Sequence, residues 1–183
     1  MIVNKKIIFM LLFLCSFIML LSGCSNNKKE FDKQNNDAVV ETNAVSKNFD
    51  KNGTGVLNCN TPAAAAEGIT VDLNYIIKYK RGNILELRSV AKISSSDQNS
   101  LDLYETSYKQ ISNNYKDLDY YDTSIIRDSN TLTYDVVINY DKIDVEKLLD
   151  IEGAEDNIID NGKAKLSLWL DLAGKMGTTC EEA

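Results

Sequence analysis

Apolar positions along this chain recur in three rhythms, and each rhythm predicts a different kind of element. The first is unbroken: Ile7 to Leu21 is a run of fifteen residues without a charge, behind Lys5 and Lys6. A short positive head followed by an apolar run has the form of a signal peptide. An uncleaved membrane helix ending near Cys24 is the competing reading, because about eighteen apolar residues are the lower limit for crossing a bilayer. Both readings put the rest of the chain outside the cytoplasm.

The second rhythm has a period of two. Val71, Leu73, Tyr75, Ile77 and Tyr79 alternate with Asp72, Asn74 and Lys78, which predicts a half-buried strand. Lys80-Arg81-Gly82-Asn83 makes the turn, and Leu85, Leu87, Ala91 and Ile93 carry the alternation back, so the pair reads as a hairpin. A second hairpin is predicted from roughly Leu118 to Arg127, a turn at Asp128-Ser129-Asn130, and a return strand with Leu132, Tyr134, Val136, Ile138 and Tyr140 on one side. Tyr120 and Tyr121 are adjacent, so at least one of them must face away from the core of a strand.

The third rhythm is helical. Leu101, Tyr104, Tyr108, Ile111 and Tyr115 step by three and four, and Ser94-Ser95-Ser96-Asp97 offers oxygen side chains to cap the helix they predict. Asp144 can cap a short helix through Leu149, Gly153 to Asp160 reads as a loop, and a last helix is expected from about Gly162 to Ala173 with Leu166, Trp169, Leu170 and Ala173 on its buried face. The expected order is ββαββαα. That order predicts an α+β fold, an antiparallel sheet of about four strands in two hairpins, covered on one face by two to three helices.

Between the leader and the first hairpin the rhythms stop. Ser25 to Gly55 holds seven Asn, five Lys and five acidic residues in 31 positions, which is too polar to offset its own ordering entropy. The domain organisation expected is therefore a signal peptide over 1–23, Cys24 with a disordered polar tether over 24–55, and one extracytoplasmic domain over 56–183. Asn58 to Pro62 reads as a turn-like entry to that domain, and Ala63 to Ala66 as a small-residue bridge of unassigned structure.

Charge narrows the partners. The formal charge is −7, and removing Lys5 and Lys6 with the leader makes it −9. Such a body is repelled by phosphate backbones and anionic head groups, which argues against nucleic acid and favours cationic ligands or divalent metals. Membrane association must then come from elsewhere. Leu21-Ser22-Gly23-Cys24 places two small residues and a thiol after an aliphatic one, and so resembles the lipobox of bacterial lipoproteins. The resemblance implies that a diacylglycerol is joined to Cys24 and that Cys24 becomes the new N-terminus. Two acyl chains give stable attachment without any basic patch.

Of the other cysteines, Cys15 leaves with the leader, while Cys59 and Cys180 stand near the two ends of the expected domain. In an oxidising compartment two such thiols point to a disulfide; a redox or metal pair is the weaker reading without a CxxC or a histidine.

The chain has no histidine at all, which removes Ser-His-Asp and Cys-His catalysis and the commonest metal ligand. Ser89-Val90-Ala91-Lys92 matches the S-x-x-K pattern of penicillin-interacting enzymes, but in a strand positions three apart face opposite sides, and K-T-G is missing. Asp50 to Gly55 opens like a calcium loop, yet its twelfth position is Thr61 instead of Glu, so a turn is the plainer reading. Two acidic groups, Asp117, Asp119 and Asp122 and then Asp150, Glu152, Glu155, Asp156 and Asp160, have the residue type for glycosidase or metal chemistry, though solvated loops are usually this acidic. All nine tyrosines fall between Tyr75 and Tyr140, and seven of them lie on the apolar stripes, as core and rim.

The lipobox, the hairpin around Tyr79-Lys80-Arg81-Gly82-Asn83, the helix with Tyr104 and Tyr108, and Val137-Ile138-Asn139-Tyr140-Asp141-Lys142-Ile143-Asp144 together resemble the YehR-like group of small bacterial lipoproteins. The resemblance spans most of Ile69 to Gly177, and Cys59 and Cys180 depart from that group's pattern. It implies an α+β lipoprotein and supplies no catalytic residues. The function expected is a membrane-anchored lipoprotein with a non-enzymatic domain that binds an envelope protein or a small ligand, with no cofactor beyond the lipid at Cys24. The alternatives are a carboxylate-based or metal-assisted envelope enzyme and a binder of small cationic ligands working with a transporter.

Overall fold

A computed structural model describes residues 49–66, 68–153 and 157–183. The leader, Leu21 to Gly23, Cys24 and the tether to residue 48 lie outside the described residues, as do Glu155 and Asp156. The described chain runs β1 (Thr54–Ala66), β2 (Ile69–Lys80), β3 (Asn83–Ser95), α1 (Gln98–Asn114), β4 (Tyr121–Asp128), β5 (Thr131–Asn139), α2 (Val145–Glu152), β6 (Ile159–Asp160), β7 (Lys163–Ala164), α3 (Leu166–Lys175) and β8 (Thr179–Glu182).

This corrects the expected fold. A six-stranded antiparallel sheet in the order β4-β5-β3-β2-β1-β8 stands where four strands in the order ββαββαα were expected, with a separate two-stranded ribbon of β6 and β7. Over the described residues the protein is mostly β, with three helices, and not a four-stranded α+β sheet. Each missed element has a physical reason. In β1 the buried positions Leu57, Cys59 and Thr61 do alternate with exposed Asn58 and Asn60, but a thiol, a hydroxyl and the Pro62-Ala63-Ala64-Ala65-Ala66 run give hardly any apolar contrast. Pro62 sits where the β1–β2 register shifts, the irregular position at which a strand tolerates proline. β8 is Thr-Cys-Glu-Glu with Cys180 alone buried, so its pairing with β1 is set by a partner more than a hundred residues away and not by its own pattern. The region expected as a loop plus the start of a helix instead makes a tight ribbon, because Asn161 and Gly162 both take positive φ (51° and 70°), and α3 begins later, at Leu166.

The hairpin of β2 and β3 turns at Arg81 and Gly82, again both at positive φ. A register shift between Lys78 and Tyr79 puts Ile84 opposite Tyr79. Ile84, and not Leu85, is therefore the core residue at that end, 2% exposed. β4 starts at Tyr121, since Tyr120 takes φ 66° and turns outward, 49% exposed against 7% for Tyr121.

One face of the sheet is solvated and carries ion pairs: Arg88 donates through two nitrogens to Asp135, and Lys78 lies 2.7 Å from Glu86. The other face carries the helices. Asp97 caps α1 by accepting from Asn99 and Ser100, and Asp144 caps α2 by accepting from Lys147. α1 and α2 cover the β3–β5–β4 side with Leu101, Tyr108, Ile111, Tyr115 and Leu148, while α3 covers the β1–β2 side with Leu166, Trp169, Leu170 and Ala173. Cys59 and Cys180 are directly paired across β1 and β8 and joined by a disulfide in the second of these clusters. No helix among the described residues is long and apolar enough to cross a membrane.

Candidate functional site

The two core clusters do not meet everywhere. Between α1 and α3 the inner face of the sheet is left uncovered, and a cavity of about 140 Å³ lies there, partly open to solvent. Its floor is Val71, Leu73 and Tyr75 of β2, Leu87, Ser89 and Ala91 of β3, and Tyr134, Val136 and Ile138 of β5. Tyr104, Tyr108 and Ile111 of α1 form one wall, and Trp169, Leu172, Ala173 and Met176 the other. Tyr140, Glu152, Asn157 and Ile158 close one end. A cavity near this size holds a benzene-sized ring.

Local sequence explains the gap. Along β3 the inward stripe runs Leu87, Ser89, Ala91, Ile93, so the two middle positions are small where every neighbouring strand carries a large side chain. Ser89 and Ala91 pair with Tyr75 and Leu73 on one side and with Val136 and Tyr134 on the other. The aromatic rings stand around this hollow instead of filling it. Tyr108 stacks on Tyr134 with centroids 4.3 Å apart, and Tyr75 meets Trp169 edge to face at 5.2 Å. Ser112 donates to the Tyr134 hydroxyl.

Glu152 is the one carboxylate among the described lining residues, and none of those residues is Lys or Arg. It is the last residue of α2, half-buried, and its Oε1 accepts from the Tyr115 hydroxyl at 3.3 Å. Removal from water pushes its carboxyl up to about 7, against which the Tyr115 hydrogen bond works only in part. A helix C-terminus also disfavours a negative charge, so this carboxylate sits where neither solvent nor the α2 dipole supports it. Tyr115 is stacked on Tyr121 at 4.0 Å, and burial holds the hydroxyls of Tyr115, Tyr121 and Tyr140 protonated far above the usual tyrosine range. Asn157 donates to the Gly153 carbonyl and accepts from the Ile159 amide.

The other sequence candidates do not come together here. Cys59 and Cys180 are the disulfide of the neighbouring cluster. Asp117, Asp119, Asp122, Asp150 and Asp160 are exposed, and among the described residues no group of three His, Cys, Asp or Glu side chains is placed to share a metal ion. Asp50 to Gly53 forms a turn in which the Asp50 carboxylate accepts from the Asn52 amide and its carbonyl from Gly53, before β1 begins. Ser89 faces the cavity while Lys92 is exposed on the opposite side of the strand. In the sequence Glu152 stands in an acidic group of the kind usual in solvated loops. The signal against that was its spacing: Val145, Leu148 and Glu152 fall three and four apart, so Glu152 continues the apolar stripe of α2.

No protein-family model matches the chain, and no curated protein matches it. Two solved structures are similar to it. One is the NMR structure of a protein from Streptococcus pneumoniae TIGR4, 15% identical with a TM-score of 0.46, covering 88% of this chain and 100% of that one. The other is the NMR structure of the Escherichia coli YehR protein, 17% identical with a TM-score of 0.44, covering 65% of this chain and 85% of that one. At this distance neither carries a role over to these residues.

Proposed function

We propose that this chain is a membrane-tethered lipoprotein of the YehR-like group whose domain binds a small, largely apolar ligand. The anchor is the lipid on Cys24, the tether spans residues 25 to about 48, and the domain works on the extracytoplasmic side without a cofactor. The lipobox, the leader and the polar tether support the anchoring half of this reading. The observation that carries the binding half is the aromatic cavity between α1 and α3, a concave, mostly apolar space with few convergent polar groups, as ligand sites usually are. Carboxylate-based glycoside hydrolysis is less well supported, because it requires two carboxyl groups about 5 to 10 Å apart and Glu152 has no acidic companion among the described lining residues.

Two measurements test the reading. Metabolic labelling with a fatty acid should mark the wild-type chain and not Cys24→Ala. Native mass spectrometry of the full chain taken from its own membranes should show a bound small molecule that Ala91→Leu, which fills the floor of the cavity, no longer retains. Equal occupancy in both proteins would remove the cavity as the binding site.

A further inference from the structure

We propose that the cavity selects a small organic ammonium with an apolar body, the cation lying against the tyrosine faces with Glu152 as its counter-ion. This rests on the binding reading above and names its ligand class.

The argument is one of charge complementarity. Six aromatic side chains, Tyr75, Tyr104, Tyr108, Tyr134, Tyr140 and Trp169, line one cavity of about 140 Å³. Aromatic faces carry the negative end of a quadrupole and attract cations, most strongly where water is excluded. Among the described lining residues there is no Lys or Arg for an anionic ligand. Glu152 is the one carboxylate among the described lining residues, and burial holds the Tyr134 and Tyr140 hydroxyls protonated. The groups that face it are the phenols of Tyr115 at the end of α1, Tyr121 of β4 and Tyr140 after β5. α3 turns no charge toward it, because Asp171 and Lys175 are exposed. Among the described residues no cation is paired with this carboxylate, and an ammonium entering the cavity supplies one while its apolar body fills the space above Ser89 and Ala91. The net charge of −7 draws cations toward the protein and repels anions.

The closing experiment compares phenyltrimethylammonium with its uncharged isostere tert-butylbenzene on the full chain in a maltoside detergent, with free ligand fixed by equilibrium dialysis. Quenching of Trp169, the one tryptophan of the chain, reports occupancy of the cavity. The cation is expected to bind about tenfold more tightly than the isostere at about pH 8, and the preference is expected to shrink to a few-fold at about pH 6 as Glu152 takes up a proton. The ammonium cannot titrate, so this profile on the wild-type protein reads Glu152 without any substitution. Glu152→Gln should flatten the profile and bring the two ligands to similar affinity. Equal binding of cation and isostere by the wild type would overturn the ammonium assignment and leave an apolar ligand site standing. Affinity for the cation that falls as pH rises would also overturn it, since ionisation of Glu152 would then weaken the binding it is inferred to support. Absence of quenching by either compound would overturn it together with the cavity as a site for ligands of this size.

Discussion

The two halves of the core solve the same problem by different means. On the α3 side, β1 and β8 are held by a disulfide between residues 121 apart in sequence, and the packing around it is mainly aliphatic. On the α1 side no covalent link is present among the described residues, and stacked tyrosines, Tyr108 on Tyr134 and Tyr115 on Tyr121, join helix to sheet. The first half joins strands from the two ends of the described chain. The second is built from consecutive elements, β3, α1, β4 and β5, each adjacent to the next. The cavity lies between them, where neither half extends far enough to fill the space.

That difference can be broken most directly at the disulfide. In the chain-entropy model, closing a loop of this length is worth about 5 kcal/mol, and native disulfides in small secreted domains typically contribute about 2 to 5. The Cys59→Ala, Cys180→Ala double variant should therefore lose that much stability by chemical denaturation. Hydrogen exchange should rise first in β1, β8 and α3 and later in α1. Uniform loosening of both halves would show that the core is one cooperative unit, with no division at the cavity.

The second test acts at the boundary. Glu152 is raised in the folded state to about 7 from an ordinary carboxylate value of 4.5. The folded protein thus holds a proton more tightly than the unfolded chain between those values, so stability falls as pH rises through the window from about 4.5 to 7 and stays low above it. Each tenfold step in proton affinity is about 1.4 kcal/mol, which sets the loss at no more than about 3.5 kcal/mol, less whatever solvent screening relieves. Glu152→Gln should accordingly stabilise the ligand-free protein at about pH 8 and have little effect at about pH 5, read as melting temperature against pH. A substitution that destabilises at both values would mean that the carboxylate is structurally supported. Its role as an unpaired group awaiting a ligand would then be wrong.

The same contrast explains what could be read from the sequence. α1 was legible because its stripe is strong and local, as were its Asp97 cap and the turn at Arg81-Gly82. β5 was legible because Leu132, Tyr134, Val136 and Ile138 alternate without interruption. β1 and β8 were not, because Asn, Thr, Cys, Ala and Glu give little alternation and their strand character is imposed by partners distant in sequence. The cavity was legible only in pieces. The tyrosines were placed on the apolar stripes, but a stripe shows which side chains face inward and not whether they fill the space they face. Ser89 and Ala91 were the residues that carried that information.

Small residues in the two halves therefore call for opposite expectations. Gly55 of β1 lies under the buried Tyr79, and a Cβ built there would come within 2.6 Å of the Tyr79 hydroxyl and 2.9 Å of its ring. Tyr79 is 1% exposed and packs edge to face on Phe49, so the ring has little room to retreat. Gly55→Ala should cost about 1 to 3 kcal/mol, as overpacking usually does. Ala91→Leu adds more atoms, yet they project into the cavity and meet space instead of a ring. Its effect on stability should be within about 1 kcal/mol, the smallest of the series, because the apolar surface it buries offsets the side-chain entropy it loses. Thermal melts of the two variants decide the matter. If Ala91→Leu costs as much as Gly55→Ala, the space between α1 and α3 is too small to receive a leucine side chain, and no ligand of the size inferred here could enter it.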